Sequence, residues 1–241
     1  MSGNGTNFIA AAFGMKRSGK SFALDGMARG FPRRIVADFI GEYHGKIDGA
    51  AYVHTIAEAV DALQDARKKG MQKWTVVCVM QPEEVLQLLG VLAPIGKRPE
   101  TSYSYAVGGV VLQCGEIQLI APNVGMSAAM ANIIAMGRHY RVSVLGAARR
   151  PREVNRNLTS QADALLAFRQ HEPRDADYLG DVMRSDVPQY LRQLPQFHHL
   201  RFLPNFGTLD FVNPNGEAKR IPAPTNGAEK MSSSPPGVVS L

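Results

Sequence analysis

The residues best suited to chemistry are Gly14-Met15-Lys16-Arg17-Ser18-Gly19-Lys20-Ser21, which fit the phosphate-binding pattern G-x-x-x-x-G-K-[ST]. Each residue type answers a need of a bound triphosphate. The glycines let backbone N–H groups crowd around an anion, the lysine reaches the β- and γ-phosphates, and the serine hydroxyl holds Mg²⁺. Gly14, Lys16, Arg17, Ser18, Gly19, Lys20, Ser21 and the next residue, Phe22, form the expected nucleotide-binding run. Hydrolysis of ATP would also need an acid to orient water and cations to meet developing charge. Glu116 is the expected acid, because it follows the most apolar run of the chain, and with Ser21 it is the expected metal contact.

Most of the other candidates carry both a functional and a structural reading. Asp38 would contact a ribose, a water of the metal shell, or simply cap the following turn. Arg138 and Arg141 close a helix, where cations favour the helix dipole, or one of them is an arginine finger offered to a neighbouring subunit. Arg149 and Arg150 follow a strand and would sense the γ-phosphate or form a solvated basic turn. His198-His199 has no partner at metal spacing and reads as hairpin surface.

The elements that must position these residues are legible from periodicity and punctuation. Asn7–Phe13 reads as a strand into the glycine loop, and Ser21–Arg29 as the helix leaving it. Strands are expected over Arg33–Asp38, Lys73–Met80, Gly109–Cys114, Val142–Ala148 and Gln161–Phe168. Helices are expected after the Thr55-x-x-Glu58 capping box, from Pro82, and over Ser127–Tyr140. Short helices are expected over Arg174–Arg184 and Asp186–Gln193, with loops over Phe39–Gly49 and Gly96–Tyr105. His198–Val212 reads as a hairpin turning near Asn205-Phe206-Gly207. Residues 1–212 thus form one P-loop domain with a C-terminal hairpin, and 213–241, rich in Pro, Ser and Gly, are expected as a flexible or surface-draped tail. Strands alternating with helices predict an α/β fold with a mainly parallel sheet covered on both faces. In such sheets ligands bind beyond the carboxyl ends of the strands, where Gly14–Ser21, Asp38, Glu116 and Arg149-Arg150 all fall.

Composition narrows the class further. The chain has 241 residues, a formal charge of +6 and two cysteines, Cys78 and Cys114, each inside an apolar run. This excludes a disulfide scaffold and a zinc-finger spacing, and permits a polyanionic partner. No signal peptide is read at the N-terminus, and no stretch approaches the ~18 apolar residues of a membrane span. The expectation is a soluble protein.

The chain resembles the HerA/FtsK superfamily, on the P-loop opening, on Ile35-Val36-Ala37-Asp38-Phe39-Ile40-Gly41-Glu42-Tyr43, and on a later run. That run is Gly137-Arg138-His139-Tyr140-Arg141-Val142-Ser143-Val144, Gly146-Ala147-Ala148-Arg149-Arg150-Pro151, Gln161-Ala162-Asp163 and Glu172-Pro173-Arg174-Asp175. Within the superfamily it looks most like the small genome-packaging ATPases of membrane-containing icosahedral viruses, over about residues 6–180. The resemblance implies a RecA-like sheet with an additional strand, ATP and Mg²⁺ as ligands, and a homo-oligomeric ring, often a hexamer. It also implies sequence-independent movement of double-stranded DNA, and a place in the host cytoplasm or at the virion vertex beside capsid or portal proteins. Lys20 and Ser21 match the Walker A positions, Glu116 the catalytic glutamate of Walker B, and Arg149-Arg150-Pro151 a segment usually written Thr/Ser-Gln-Arg-Pro. Two positions depart from the pattern: Gly115 stands where the Walker B acid precedes the glutamate, and Arg149 where the sensor glutamine stands. Two rivals remain. One is a morphogenesis ATPase of the zona-occludens-toxin type, which usually carries a membrane span. The other is a nucleotide-gated assembly factor with little turnover, which the two departures favour.

Overall fold

Five apolar residues, Ile9–Phe13, form the first strand (β1), buried along its whole length. The computed structural model describes residues 7–43 and 45–224. Gly19 ends the glycine loop and Lys20–Ala28 forms α1, which leads into β2 (Arg33–Ala37). A three-residue strand, β3 (Ala51–Val53), precedes α2 (Ile56–Lys68). The Thr55 hydroxyl accepts the Glu58 N–H at 3.2 Å, so the capping box marks that helix start as expected. There follow β4 (Trp74–Cys78), α3 (Pro82–Leu92), a single turn α4 (Tyr103–Ala106), β5 (Val110–Cys114), α5 (Ala128–Tyr140) and β6 (Val142–Ala148). The chain continues through α6 (Arg156–Ser160), β7 (Ala164–Phe168), α7 (Pro173–Val182) and α8 (Val187–Leu191). It ends in β8 (His199–Leu203), β9 (Thr208–Val212) and β10 (Ala218–Ile221).

Among the described residues the strands join one sheet in the order β10-β9-β8-β7-β1-β6-β5-β2-β4-β3. From β7 to β3 every pairing is parallel, and β8, β9 and β10 add to the β7 edge antiparallel. One strand, β6, separates the glycine-loop strand β1 from β5, whose end leads to Glu116. This is an α/β, RecA-like sheet with the additional strand.

Alternation along the strands sorts the apolar residues into two cores. Ala10 and Ala12 of β1 face Leu24 and Ala28 of α1, while Ile9, Ala11 and Phe13 face the layer holding α2, α3, α5, α7 and α8. The two layers are unequal. The α3 helix buries Val85, Leu88, Leu89 and Leu92, roughly 6–12 kcal/mol of apolar burial, whereas α1 fully buries one large side chain, Leu24, worth about 2 kcal/mol. Ala28 and the half-buried Ala23 and Met27 add smaller apolar contacts, and polar bonds add to the hold on α1. Gln113 on β5 donates to Asp25 of α1 at 2.5 Å and accepts from Arg34 of β2 at 2.7 Å.

Three expectations are corrected. The stretch from Asn213 is not a loose tail as far as residue 224. Asn213 turns the chain by accepting the Asn215 and Glu217 N–H groups at 3.0 and 2.9 Å, and β10 pairs with β9. Buried Asp210 fixes that edge, accepting from Arg201 at 2.9 Å and Arg220 at 2.5 Å. These are charge pairs across strands that a count of apolar residues does not register. The remainder of the expected tail, 225–241, lies outside the described residues. His199 is not hairpin surface: it is buried and stacks on Phe168 with ring centroids 4.8 Å apart. The expected loop 96–105 contains buried Ser102, Tyr103 and Ser104, with the Ser104 hydroxyl donating to the Leu92 carbonyl at 2.6 Å. Both cysteines are buried in the core, as their apolar runs suggest, and so is Trp74.

Candidate active site

The glycine loop is held between two strand ends. The Gly14 N–H donates to the Ala148 carbonyl at the end of β6, and Met15 N–H to the Arg169 carbonyl beyond β7. A side chain at Gly14 would put its Cβ 2.5 Å from that of Phe168, so only glycine fits. Arg17 (φ 62°) and Gly19 (φ 106°) both adopt left-handed conformations, which curl successive N–H groups toward one concave side. No side chain caps α1 at Gly19, so its first N–H groups stay available to an anion. The Ser18 hydroxyl is buried and, among the described residues, lacks a hydrogen-bond partner. These features fit a phosphate chain. The Lys20 ammonium meanwhile donates to the Gly14 and Met15 carbonyls, each at 2.8 Å. Burial lowers its pKa to about 8, with nearby Glu116 opposing and Arg149 adding to the shift.

Across β6, the end of β5 brings up the acid. Glu116 accepts from the Gln118 amide at 2.7 Å, and Arg149 approaches it to 3.7 Å. Lys20, Ser21, Asp38, Glu42, Glu116 and Arg149 line one polar pocket of about 420 Å³, with Lys16 and Arg17 at its edge. Ser21 is exposed in the first turn of α1, where a hydroxyl can reach a metal. Among the described residues no three His, Cys, Asp or Glu side chains gather as a metal cage. The Ser21 hydroxyl and the Glu116 carboxylate in this pocket are hard oxygen donors of the kind Mg²⁺ takes, one or two from the protein beside substrate phosphates.

Of the three readings of Asp38, capping is the one the bonds support. Asp38 is buried, and its two carboxylate oxygens accept the Glu42 and Tyr43 N–H groups at 2.8 and 2.9 Å.

On the far side of Gly19 lies a larger, mainly apolar cavity of about 880 Å³, with Phe22, Met27, Leu166, Phe168 and Phe197 in its wall. Phe22 and Phe197 are 71% and 50% exposed and stand in the wall of the same cavity, so their rings present a joint apolar surface to solvent. Phe197 holds φ 65°, a left-handed conformation rarely taken by a bulky residue, and its ring lies 3.2 Å from where a Gly19 Cβ would stand. A flat base can stack on such rings while its phosphates enter the polar pocket. Phe197 lies in a turn outside any motif. The only hint in the sequence is a lone aromatic between Pro195-Gln196 and His198. Gln118 and the Gln113 network were likewise unsignalled, and for Glu42 and Tyr43 the sequence signals only membership of the Ile35–Tyr43 segment.

The arginines separate. Arg149, not Arg150, stands beside Glu116, while Arg150 turns to Glu153 at 3.6 Å. Register at the strand end decides which of two adjacent side chains faces the pocket. Buried Gln170 supports this turn, donating to the Arg149 carbonyl at 3.0 Å. Arg138 and Arg141 precede β6 and therefore lie at the opposite end of the sheet from the polar pocket. Arg141 packs over the Tyr105 ring at 4.2 Å, whereas Arg138 is exposed and donates to the His139 ring at 3.3 Å.

No protein-family profile and no curated protein sequence matches the chain. Solved structures do. The genome packaging NTPase B204 from Sulfolobus turreted icosahedral virus 2, in complex with ATP-gammaS, superposes with a TM-score of 0.68 at 18% identity, covering 86% of this chain and 98% of that one. The same protein with AMPPCP gives 0.67 at 18% identity, covering 86% and 97%. B204 from Sulfolobus Turreted Icosahedral Virus, described as a DNA-packaging ATPase, gives 0.65 at 18% identity, covering 87% and 98%. What is shared over nearly the whole of those chains is the α/β, RecA-like fold. Among the described residues no helix is long and apolar enough to cross a membrane.

Proposed function

We propose that the chain is an ATPase that drives double-stranded DNA, working in a homo-oligomeric ring as a viral genome-packaging motor. The observation that carries this reading is the single polar pocket that Lys20 and Ser21 share with Glu116 across the inserted strand β6. In this reading the base lies against Phe22 and Phe197, and the phosphates lie in the loop from Gly14 to Ser21. Ser21 and Glu116 face Mg²⁺, which supplies charge neutralisation when bound. Glu116, steered by Gln118 and Arg149, orients the attacking water. The fold likeness to B204, a DNA-packaging ATPase by its description, supports DNA as the polymer. The formal charge of +6 suits backbone contacts that ignore sequence. Such a motor would act in the host cytoplasm or at a virion vertex, against capsid or portal proteins.

The test is ATPase activity of the full chain with and without duplex DNA. Stimulation should appear with unrelated sequences and fade with salt, by about 0.9 in log affinity per log unit of salt for each phosphate contacted. A rate unchanged by DNA, with no ring by size or microscopy, overturns the motor. Open space at Gly115 in place of an acid favours one second reading, a nucleotide-gated assembly factor with slow turnover.

A ring also assigns the arginines. Arg138, exposed and at the far end of β6, is the better finger for a neighbour's site, since Arg141 is engaged on Tyr105. Arg138→Ala is expected to lower turnover about 10³-fold, on the scale of arginine fingers. Mixing it with a Lys20→Ala chain should restore activity, because each supplies what the other lacks. Arg141→Ala should mainly lower stability, by about 1 kcal/mol for the lost cation–π contact. Equal loss of turnover in both variants, without complementation, would remove the finger.

A further inference from the structure

The nucleotide site as read above lacks one carboxylate, and the structure shows where another stands. Nothing steric requires glycine at 115. Its φ is not left-handed, and a Cβ there would meet nothing within 4 Å. The acid expected before Glu116 would fit and is nonetheless missing. The polar pocket then sets Lys16, Arg17, Lys20 and Arg149 against three acids. Glu116 is engaged by Gln118 and Arg149, and Asp38 spends an oxygen on each of two backbone N–H groups. Glu42 differs. It lines the same pocket, is exposed, and among the described residues its carboxylate has no hydrogen-bond or ion-pair partner.

Its backbone, by contrast, is fixed from three strands. From the end of β2, Asp38 accepts the N–H groups of Glu42 and Tyr43. From β5, the Gln113 amide donates to the Tyr43 hydroxyl at 3.1 Å. From β3, the Tyr52 hydroxyl donates to the Tyr43 carbonyl at 2.9 Å. Gln113 is fully buried and tied in turn to Asp25 and Arg34, so Tyr43 is anchored to a rigid point of the core. A free carboxylate on a clamped loop, facing the phosphate pocket, is a preorganised ligand group rather than a solvated surface acid.

We propose that Glu42 supplies the metal-facing carboxylate that Gly115 lacks. The proposal rests on the nucleotide reading of this pocket. It takes Asp38, Tyr43, Gln113 and Tyr52 as positioning residues that hold Glu42 toward the metal.

The experiment measures binding of AMPPCP to the full chain by titration calorimetry, in Mg²⁺ and in EDTA, for wild type, Glu42→Gln, Gly115→Asp and the double variant. Mn²⁺ resonance in the AMPPCP complex serves as a second readout. Wild type should bind more tightly with Mg²⁺ than in EDTA. Glu42→Gln should lose about tenfold of that metal-dependent gain, with its EDTA affinity within twofold of wild type. Gly115→Asp, for which there is room, should restore the gain in the Glu42→Gln background. A Glu42→Gln chain that keeps its full Mg²⁺ response overturns the proposal and leaves the nucleotide reading intact. So does one that loses equal affinity with and without metal. A wild-type chain that binds no AMPPCP under either condition overturns both.

Discussion

Lys20→Ala is expected to reduce ATP turnover about 10³-fold and nucleotide affinity about 10- to 100-fold, on the scale of a charge-assisted hydrogen bond removed from a preorganised site. The ammonium sits inside the loop, donating to the Gly14 and Met15 carbonyls. The variant therefore loses both the phosphate contact and the brace that keeps the loop open. The same residue predicts a pH dependence. Burial lowers its pKa to about 8, Glu116 opposing and Arg149 adding. Phosphates bind the charged form, so a bound nucleotide pulls the pKa back up and binding above pH 8 takes up a proton. Affinity should fall by up to tenfold per pH unit from about pH 8 toward 10. Lys20→Arg, charged throughout, should flatten that slope. Stability runs the other way. Between about pH 8 and 10.5 the unfolded chain holds more protons at this residue than the folded one, so this contribution grows more favourable as pH rises. Calorimetry of the nucleotide-free wild type beside Lys20→Ala over that range checks the sign. Affinity unchanged in Lys20→Ala would remove the phosphate reading of Gly14–Ser21.

How much of this was legible before the structure depends on how far each signal reaches. The glycine loop, β1 and α1 are local: a phosphate cradle demands its residue types at fixed spacing, and the flanking periodicity agrees. The parallel sheet followed from alternating strands and helices. Glu116 could be named because it directly follows a buried strand. What could not be read depends on pairing between distant segments. Asp38 looked as suited to metal or ribose as to capping, until the fold showed both oxygens accepting the N–H groups of Glu42 and Tyr43. That single assignment moves the free acid four residues along, to Glu42. Arg149 and Arg150 differ by one position, and only register at the end of β6 shows which faces Glu116. Phe197 reaches the loop from nearly two hundred residues away, through a left-handed turn that composition does not announce. β10 was hidden because it is held mainly by its ladder with β9 and by Arg220 on Asp210, with only modest apolar burial at Ile221.

Glu116→Gln is expected to lower turnover by about 10²- to 10⁴-fold while leaving nucleotide affinity within a few-fold of wild type, as for loss of a positioned general base. The substitution keeps the side chain's volume and leaves a carbonyl oxygen to accept from Gln118, so the loop from Gly115 to Ile117 should retain its shape. The Arg149 ion pair is lost, at little cost. It spans 3.7 Å with the arginine side chain 56% exposed, and such pairs contribute about 0–1 kcal/mol. The loss therefore falls on orienting water and not on folding. This separates three roles in one pocket by two measurements. Lys20→Ala should fail in binding with or without metal, Glu42→Gln chiefly in the metal-dependent part of binding, and Glu116→Gln chiefly in turnover, with no more than a few-fold loss of the metal-dependent gain. Single-turnover hydrolysis beside AMPPCP binding distinguishes them. If Glu116→Gln turns over within threefold of wild type, Glu116 orients no water, and the chain is better described as a nucleotide-gated switch than as a motor. Gly115 makes that outcome informative. With no acid beside it, Glu116 is the sole carboxylate that the β5 end contributes to the pocket, so hydrolysis at this strand has no second group on which to fall back.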